Sequence, residues 1–252
     1  LSGNYNLAFG SESLYSNTTG ERNAAFGSQA LYSNTEGDFN TAIGTKTLYS
    51  NTIGNNNAAF GLQSLYSNVD GSNNTGVGYR ALYSNLSGNY NLAFGSESLY
   101  SNTIGNKNAA FGLQSLYSNV DGSNNNAVGN RALYSNVSGD FNAAFGTQAL
   151  NSNSSGSQNT AIGYQALFSV TGDYNSALGR GAGFQATGSG NVFVGYKAGY
   201  AETGSNKLYI SSYDEDNSSE RDLITGDFST GDLSLGQTSG TVTILNDADI
   251  DG

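Results

Sequence analysis

The stretch LSGNYNLAFGSESLYSNT runs from Leu1 to Thr18 and returns, letter for letter, from Leu86 to Thr103. Between and beyond the two copies the same pattern recurs with substitutions. Glycine stands at 10, 27, 44, 61, 78, 95, 112, 129, 146 and 163, every step 17 residues, and two further steps of 16 reach Gly179 and Gly195. A second glycine row runs from Gly3 to Gly204. An asparagine row keeps the same period through Asn6, Asn23, Asn40, Asn57, Asn74, Asn91, Asn108 and Asn125, and continues to Asn191. About twelve units therefore lie in register. A fixed period of this length marks a solenoid, in which each unit rests mainly on its two neighbours and duplication is tolerated. Leu1 is equivalent to Leu86, so the chain opens inside its own pattern, and further units are expected before it in a longer protein.

Within the unit Gly3–Thr19, Asn6–Phe9 and Ser13–Ser16 are each of strand length and bounded by turn residues. Gly10-Ser11-Glu12 reads as a tight turn, and Asn17-Thr18-Thr19-Gly20 as a longer one. The expected unit is two short strands and two turns, one coil of a parallel β-solenoid. Coils about 4.8 Å apart would give a rod of roughly 60 Å. Two apolar clusters per unit fit a flattened, two-sided roll. The row that starts at Ala8 is small in eleven of twelve units, Phe193 being the exception, and the row at Ser13 is always alanine, serine or threonine. Small rows let two backbones approach closely.

Leu14 and Tyr15 are neighbours in the second expected strand, so they should point to opposite faces. Leucine holds its row from Leu14 to Leu167; tyrosine holds the next at Tyr15, Tyr32, Tyr49, Tyr66, Tyr83, Tyr100, Tyr117 and Tyr134, with Phe168 later. A thin roll has one interior, so one row must lie outside and be covered by other copies of the chain or by a ligand. The asparagine row reads as structural, its side chains bonding up and down the stack.

Composition excludes several chemistries. Cysteine, methionine, proline, tryptophan and histidine are absent from the 252 residues. Without histidine or cysteine, nucleophile–histidine triads and thiolate or imidazole metal sites cannot be built. The net charge of −11 argues against a nucleic-acid partner. No apolar stretch of about 18 residues is present, so no direct membrane insertion is expected. The acids of the array, among them Glu12, Glu21, Asp38, Asp70 and Asp140, fall mostly in turns and form no obvious catalytic pair. The expected protein is not an enzyme and has no cofactor, apart from a calcium ion considered below.

Units such as NTAIGTKTLYSNTIG (Asn40–Gly54) and NTAIGYQALFS (Asn159–Ser169) resemble the head repeats of YadA-like trimeric autotransporter adhesins, and related repeats of tail-fibre-like proteins. The resemblance covers roughly residues 1–204. It implies a left-handed β-roll, a homotrimer around a common axis, and an extracellular or virion-like fibre. The units here are longer than in that head family, and no membrane anchor or coiled-coil stalk is visible.

After Gly204 the period is lost. Residues 205–252 carry ten acids and two bases, against ten and seven in residues 1–204. NKLYISSYDED, RDLITGDFSTGDLSLGQTSG and TVTILND read as three or four short strands, an acidic cap or neck over the open edge of the roll. The final DADIDG places Asp247, Asp249 and Asp251 before a glycine, as a calcium loop begins, although the closing acid would lie beyond Gly252. The reading is therefore an all-β chain: a two-sided β-solenoid over residues 1–204 and a β cap over 205–252. The expected function is that of a homotrimeric structural or adhesive fibre segment meeting a surface glycan or protein receptor. The alternatives are a glycan-binding solenoid that uses an exposed tyrosine row, and a self-assembling filament subunit. Ice binding is disfavoured, because the threonine row begun by Thr18, Thr35 and Thr52 is interrupted by Val69, Leu86, Val120 and Val137.

Overall fold

The computed structural model describes residues 3–214 and 219–236. It is all-β, with one three-residue strand per coil. These are β1 (Leu7–Phe9), β2 (Ala24–Phe26), β3 (Thr41–Ile43), β4 (Ala58–Phe60), β5 (Thr75–Val77), β6 (Leu92–Phe94), β7 (Ala109–Phe111), β8 (Asn126–Val128), β9 (Ala143–Phe145), β10 (Thr160–Ile162), β11 (Ser176–Leu178) and β12 (Val192–Val194). Each pairs in parallel with the next, in the register of the repeat: Ala8 with Ala25, Ala25 with Ala42, and so on to Ala177 with Phe193. The β-solenoid of about twelve coils expected from the period is therefore present.

The coil itself differs from the expectation. Ser13–Ser16 is not a strand. Two hydrogen-bonded turns replace it, closed by Ser13 N–H to Gly10 O (3.3 Å) and Asn17 N–H to Leu14 O (3.2 Å). Glu12 and Leu14 both take left-handed φ values, 58° and 51°, and the same pair recurs up the rod, as at Glu97 and Leu99. A leucine in that region costs roughly 1–2 kcal/mol. Burying the side chain gains about 1.5–3 kcal/mol, so the strained turn is tolerated because it aims leucine inward. Coils remain bonded to one another around the turns: Leu14 N–H to Ala30 O and Ser16 N–H to Tyr32 O are both 3.0 Å.

The interior is thin. The Ala8 row from Ala25 onward, the small residues opposite it such as Ala30 and Thr47, and the leucines from Leu31 to Leu167 are buried. Glycine is required where the chain leaves the strand: at Gly112, φ is 135°, and a Cβ would stand 2.5 Å from the Gly129 carbonyl oxygen. Phe193 stands in the alanine row, fully buried, and its bulk is compensated in the leucine row, where coils eleven and twelve carry Gly183 and Gly199. A Cβ on either glycine would come within 2.6 and 2.3 Å of the Phe193 ring. The ring fills the space that two leucines vacate.

Two asparagine ladders run through this interior. In the first, each side-chain oxygen accepts the next asparagine's backbone N–H, as Asn91 Oδ1 does from Asn108 (3.0 Å), and each amide donates to a glycine carbonyl, as Asn91 Nδ2 does to Gly105 (2.8 Å). The second, starting at Asn17, was not singled out from sequence. There, amides bond directly to amides, Asn102 Nδ2 to Asn85 Oδ1 at 2.8 Å. This ladder ends where Val170 replaces asparagine, which leaves the buried Asn153 Oδ1 without a donor.

The solenoid edge at β12 continues into a cap. β13 (Lys207–Asp214) pairs in parallel with β12, and β14 (Ser219–Asp227) and β15 (Asp232–Leu235) add antiparallel strands. The expected strand in TVTILND, and Asp247, Asp249 and Asp251, lie outside the described residues.

Candidate functional site: the outer faces of the rod

Leucine and tyrosine rows diverge as expected, although through turn geometry and not through strand alternation. Leu31 to Leu167 are buried, whereas Tyr32 to Tyr134 are half-buried on the outside. The eight tyrosines Tyr15 to Tyr134 form one continuous stack, with centroids 5.0–5.2 Å apart and planes within 3–9° of parallel. A second stack, Phe168–Phe184–Tyr200, follows at 4.9 and 5.0 Å. Asn151 is the missing rung between the two. Because each ring covers its neighbour, the row presents edges and hydroxyl groups to solvent. Burial raises the phenol pKa values of Tyr32, Tyr66 and Tyr117, and neighbouring tyrosines, with Glu12 at Tyr32 and Glu97 at Tyr117, add to the shift.

A polar row runs beside the tyrosines. Gln29 donates to Glu12 (2.7 Å), Arg80 to Gln63 (2.9 Å) and Arg131 to Gln114 (3.0 Å). Arg80 and Arg131 also lie over Tyr83 and Tyr134, at 5.4 and 5.5 Å from the ring centroids. The threonines Thr18, Thr35 and Thr52 turn their hydroxyls to the next coil's carbonyls at 2.8–3.1 Å.

The most exposed continuous apolar row is a different one. The third residue of each strand faces outward: Phe26, Phe60 and Phe111 are 37 % exposed, Ile43 41 % and Phe145 43 %. The first residue of each strand shares that face, as Ala24 and Leu92 do, and neither position is charged in any coil. Past the glycine turn, Leu62, Tyr79, Leu113 and Tyr164 add scattered apolar side chains in a row that is otherwise mostly polar and holds Arg180. Sequence reasoning passed over this surface. The signal was available: a strand with a small residue at its centre must send both flanking residues outward.

At the far end, Tyr209 packs against Phe193 with centroids 6.0 Å apart, and its hydroxyl donates to Glu202. Burial alone would raise the Glu202 pKa, but the bonds from Tyr209 and the Gly204 and Thr203 backbone, with the Lys207 charge, lower it overall. Lys207 pairs with Asp227 and holds that carboxyl well below the usual carboxylate range. The Tyr209 contacts tie the cap to the last coil, and the Lys207–Asp227 pair ties β13 to β14 within the cap. Among the described residues, no group of three or more acidic, histidine or cysteine side chains comes together as a metal site. Comparison with protein-family models, with characterised proteins and with solved structures finds no match for this chain.

Proposed function

We propose that the chain is a segment of a non-enzymatic extracellular fibre, structural and adhesive in role, in which copies associate into a homotrimeric rod through the outward faces of β1–β12. The observation that carries this reading is the uncharged apolar face itself. Twelve strands span about 55 Å along the rod, and a three-residue strand is roughly 10 Å wide. The strip is thus roughly 550 Å²; it is uncharged throughout, and its first position is polar at Thr41, Thr75, Asn126, Thr160 and Ser176. A monomer rarely leaves so long a strip in water. A chain of net charge −11 repels its own copies, so self-association favours the face that carries no charge. Three copies around one axis follow from the resemblance of NTAIGTKTLYSNTIG to adhesin head repeats. The tyrosine row lends less support to glycan stacking, since its ring faces are occupied by one another.

Sedimentation equilibrium at micromolar concentration tests the reading. The expected result is a trimer that the pair Phe94→Lys and Phe111→Lys disperses to monomer without loss of β-sheet circular dichroism. A wild-type chain that sediments as a monomer defeats the proposal.

A further inference from the structure

The two edges of the rod carry opposite charge. In each coil the strand is entered through a four-residue edge, residues 36–39 in coil three, and left through the two residues after the strand glycine, 45 and 46 in that coil. Over the twelve coils the entry edge holds seven acids and two bases, whereas the exit edge holds five bases and two acids. The uncharged strand face lies between them.

The charges also match in level. The entry edge is net acidic in coils three, five, eight, nine and eleven, through Glu36 with Asp38, then Asp70, Asp121, Asp140 and Asp173. The exit edge is basic in coils three, five, eight, eleven and twelve, through Lys46, Arg80, Arg131, Arg180 and Lys197. Four of the five bases therefore share a coil with an acidic entry edge. These groups do not meet within one chain. The strand alone holds the edges roughly 10 Å apart, beyond the Debye length of about 8 Å at physiological salt. Among the described residues, Lys46, Arg80, Arg131 and Arg180 make no ion pair within the chain. Asp70, Asp121, Arg131 and Arg180 are exposed.

We infer that neighbouring copies in the fibre lie side by side, pointing the same way and level with one another, with the exit edge of one copy against the entry edge of the next. This rests on the self-association proposed above and adds its direction and register. Rotation about an axis along the rod brings unlike edges together, the heterologous contact that a ring of three copies needs. A two-fold rotation across the rod sets entry edge against entry edge, and acids then face acids. Register needs the charges as well. A face that repeats at every coil looks alike after a slip of one coil, so the strand residues by themselves do not fix the level. The charges do. A one-coil slip cuts the four matches to two in one direction, Lys46 with Glu21 and Lys197 with Asp173, and to one in the other, Arg131 with Asp140. Exposed ion pairs add little affinity each, but the repulsion between like charges excludes the wrong arrangements.

The chain has no cysteine, so single labelling sites can be added. Ser11 in coil one and Ala201 in coil twelve are both exposed and stand about 50 Å apart along the rod. Donor- and acceptor-labelled chains are unfolded, mixed and refolded together. Ser11→Cys mixed with itself should give strong energy transfer, and Ser11→Cys mixed with Ala201→Cys severalfold weaker transfer. In sedimentation equilibrium, Arg80→Glu with Arg131→Glu should weaken association severalfold; glutamate already occupies that row at Glu12 and Glu97, so the fold should persist. Adding Asp70→Lys and Asp121→Lys should restore association. Strong transfer between Ser11→Cys and Ala201→Cys overturns the shared direction. An Arg80→Glu, Arg131→Glu chain that associates as tightly as wild type, or that the two lysines fail to restore, overturns the edge pairing while the trimer stands. A wild-type chain that stays monomeric overturns both the pairing and the fibre reading.

Discussion

Filling the gap at Asn151 should stabilise the middle of the rod. Asn151→Tyr places a ring between Tyr134 and Phe168, which stand two coil steps, about 10 Å, apart. It creates two new stacked pairs of the kind seen at 5.1 Å between Tyr117 and Tyr134. Each such pair contributes about 0.5–1.5 kcal/mol beyond its buried area, so the gross gain is about 1–3 kcal/mol. The substitution removes one hydrogen bond, from Asn151 Nδ2 to the Arg131 carbonyl at 3.1 Å. That bond is exposed, water can replace it, and its loss costs about 0.5 kcal/mol, the low end of the net range. Ordering the new side chain takes back a similar amount, which leaves a net gain of about 1 kcal/mol at the middle of the range and about 2 kcal/mol at its top. Repeat arrays need not unfold in one step, so the local readout is amide hydrogen exchange at Ser135 and Ser152, whose N–H groups bond across the coil interfaces on either side of Asn151. Protection there should rise by about fivefold at mid-range and at most about thirtyfold, since 1.4 kcal/mol corresponds to a factor of ten. Asn151→Ala, which loses the bond without adding a ring, should leave protection unchanged or slightly lower. If Asn151→Tyr fails to raise protection above wild type, ring stacking does not stabilise this fold, and the tyrosine row is a by-product of the repeat.

Two further outcomes follow from the same geometry. Asn102→Ala should destabilise the rod by about 1–3 kcal/mol, because the buried Asn85 Oδ1 loses its 2.8 Å donor and Asn119 Nδ2 loses its 2.7 Å acceptor; a denaturation midpoint within error of wild type would contradict the structural role of the second asparagine ladder. The raised phenol pKa values of Tyr32, Tyr66 and Tyr117 favour the folded state wherever the phenols are protonated. That contribution is complete below the unfolded value near 10 and is lost as pH rises through the folded values. Phenolate absorbance and loss of β-sheet circular dichroism should therefore rise together in alkaline titration, and ladder tyrosines that ionise at or below the ordinary value with the fold intact would refute the link.

The period of 17 residues was sufficient for the solenoid, because a repeat this regular has few ways to bury its apolar rows other than by stacking. The small Ala8 row and the bonded asparagines from Asn6 onward were legible on the same basis: a row kept through the coils must satisfy its neighbours above and below. The coil's own path was not legible. Ser13-Leu14-Tyr15-Ser16 has the length and composition of a strand, yet it folds as two turns with Leu14 left-handed. The preference of a single leucine for extended backbone is outweighed by burial, and burial depends on the opposite wall of the coil, which local sequence does not reveal.

The candidate surfaces divide in the same way. Sequence alone required that leucine and tyrosine rows part and that one of them lie outside. The tertiary structure decided that the outer tyrosines cover one another and that the strand residues from Phe26 to Ile162 carry the exposed apolar strip. The physical reason is that sequence period fixes which residues share a row, whereas the turn angles fix where each row points.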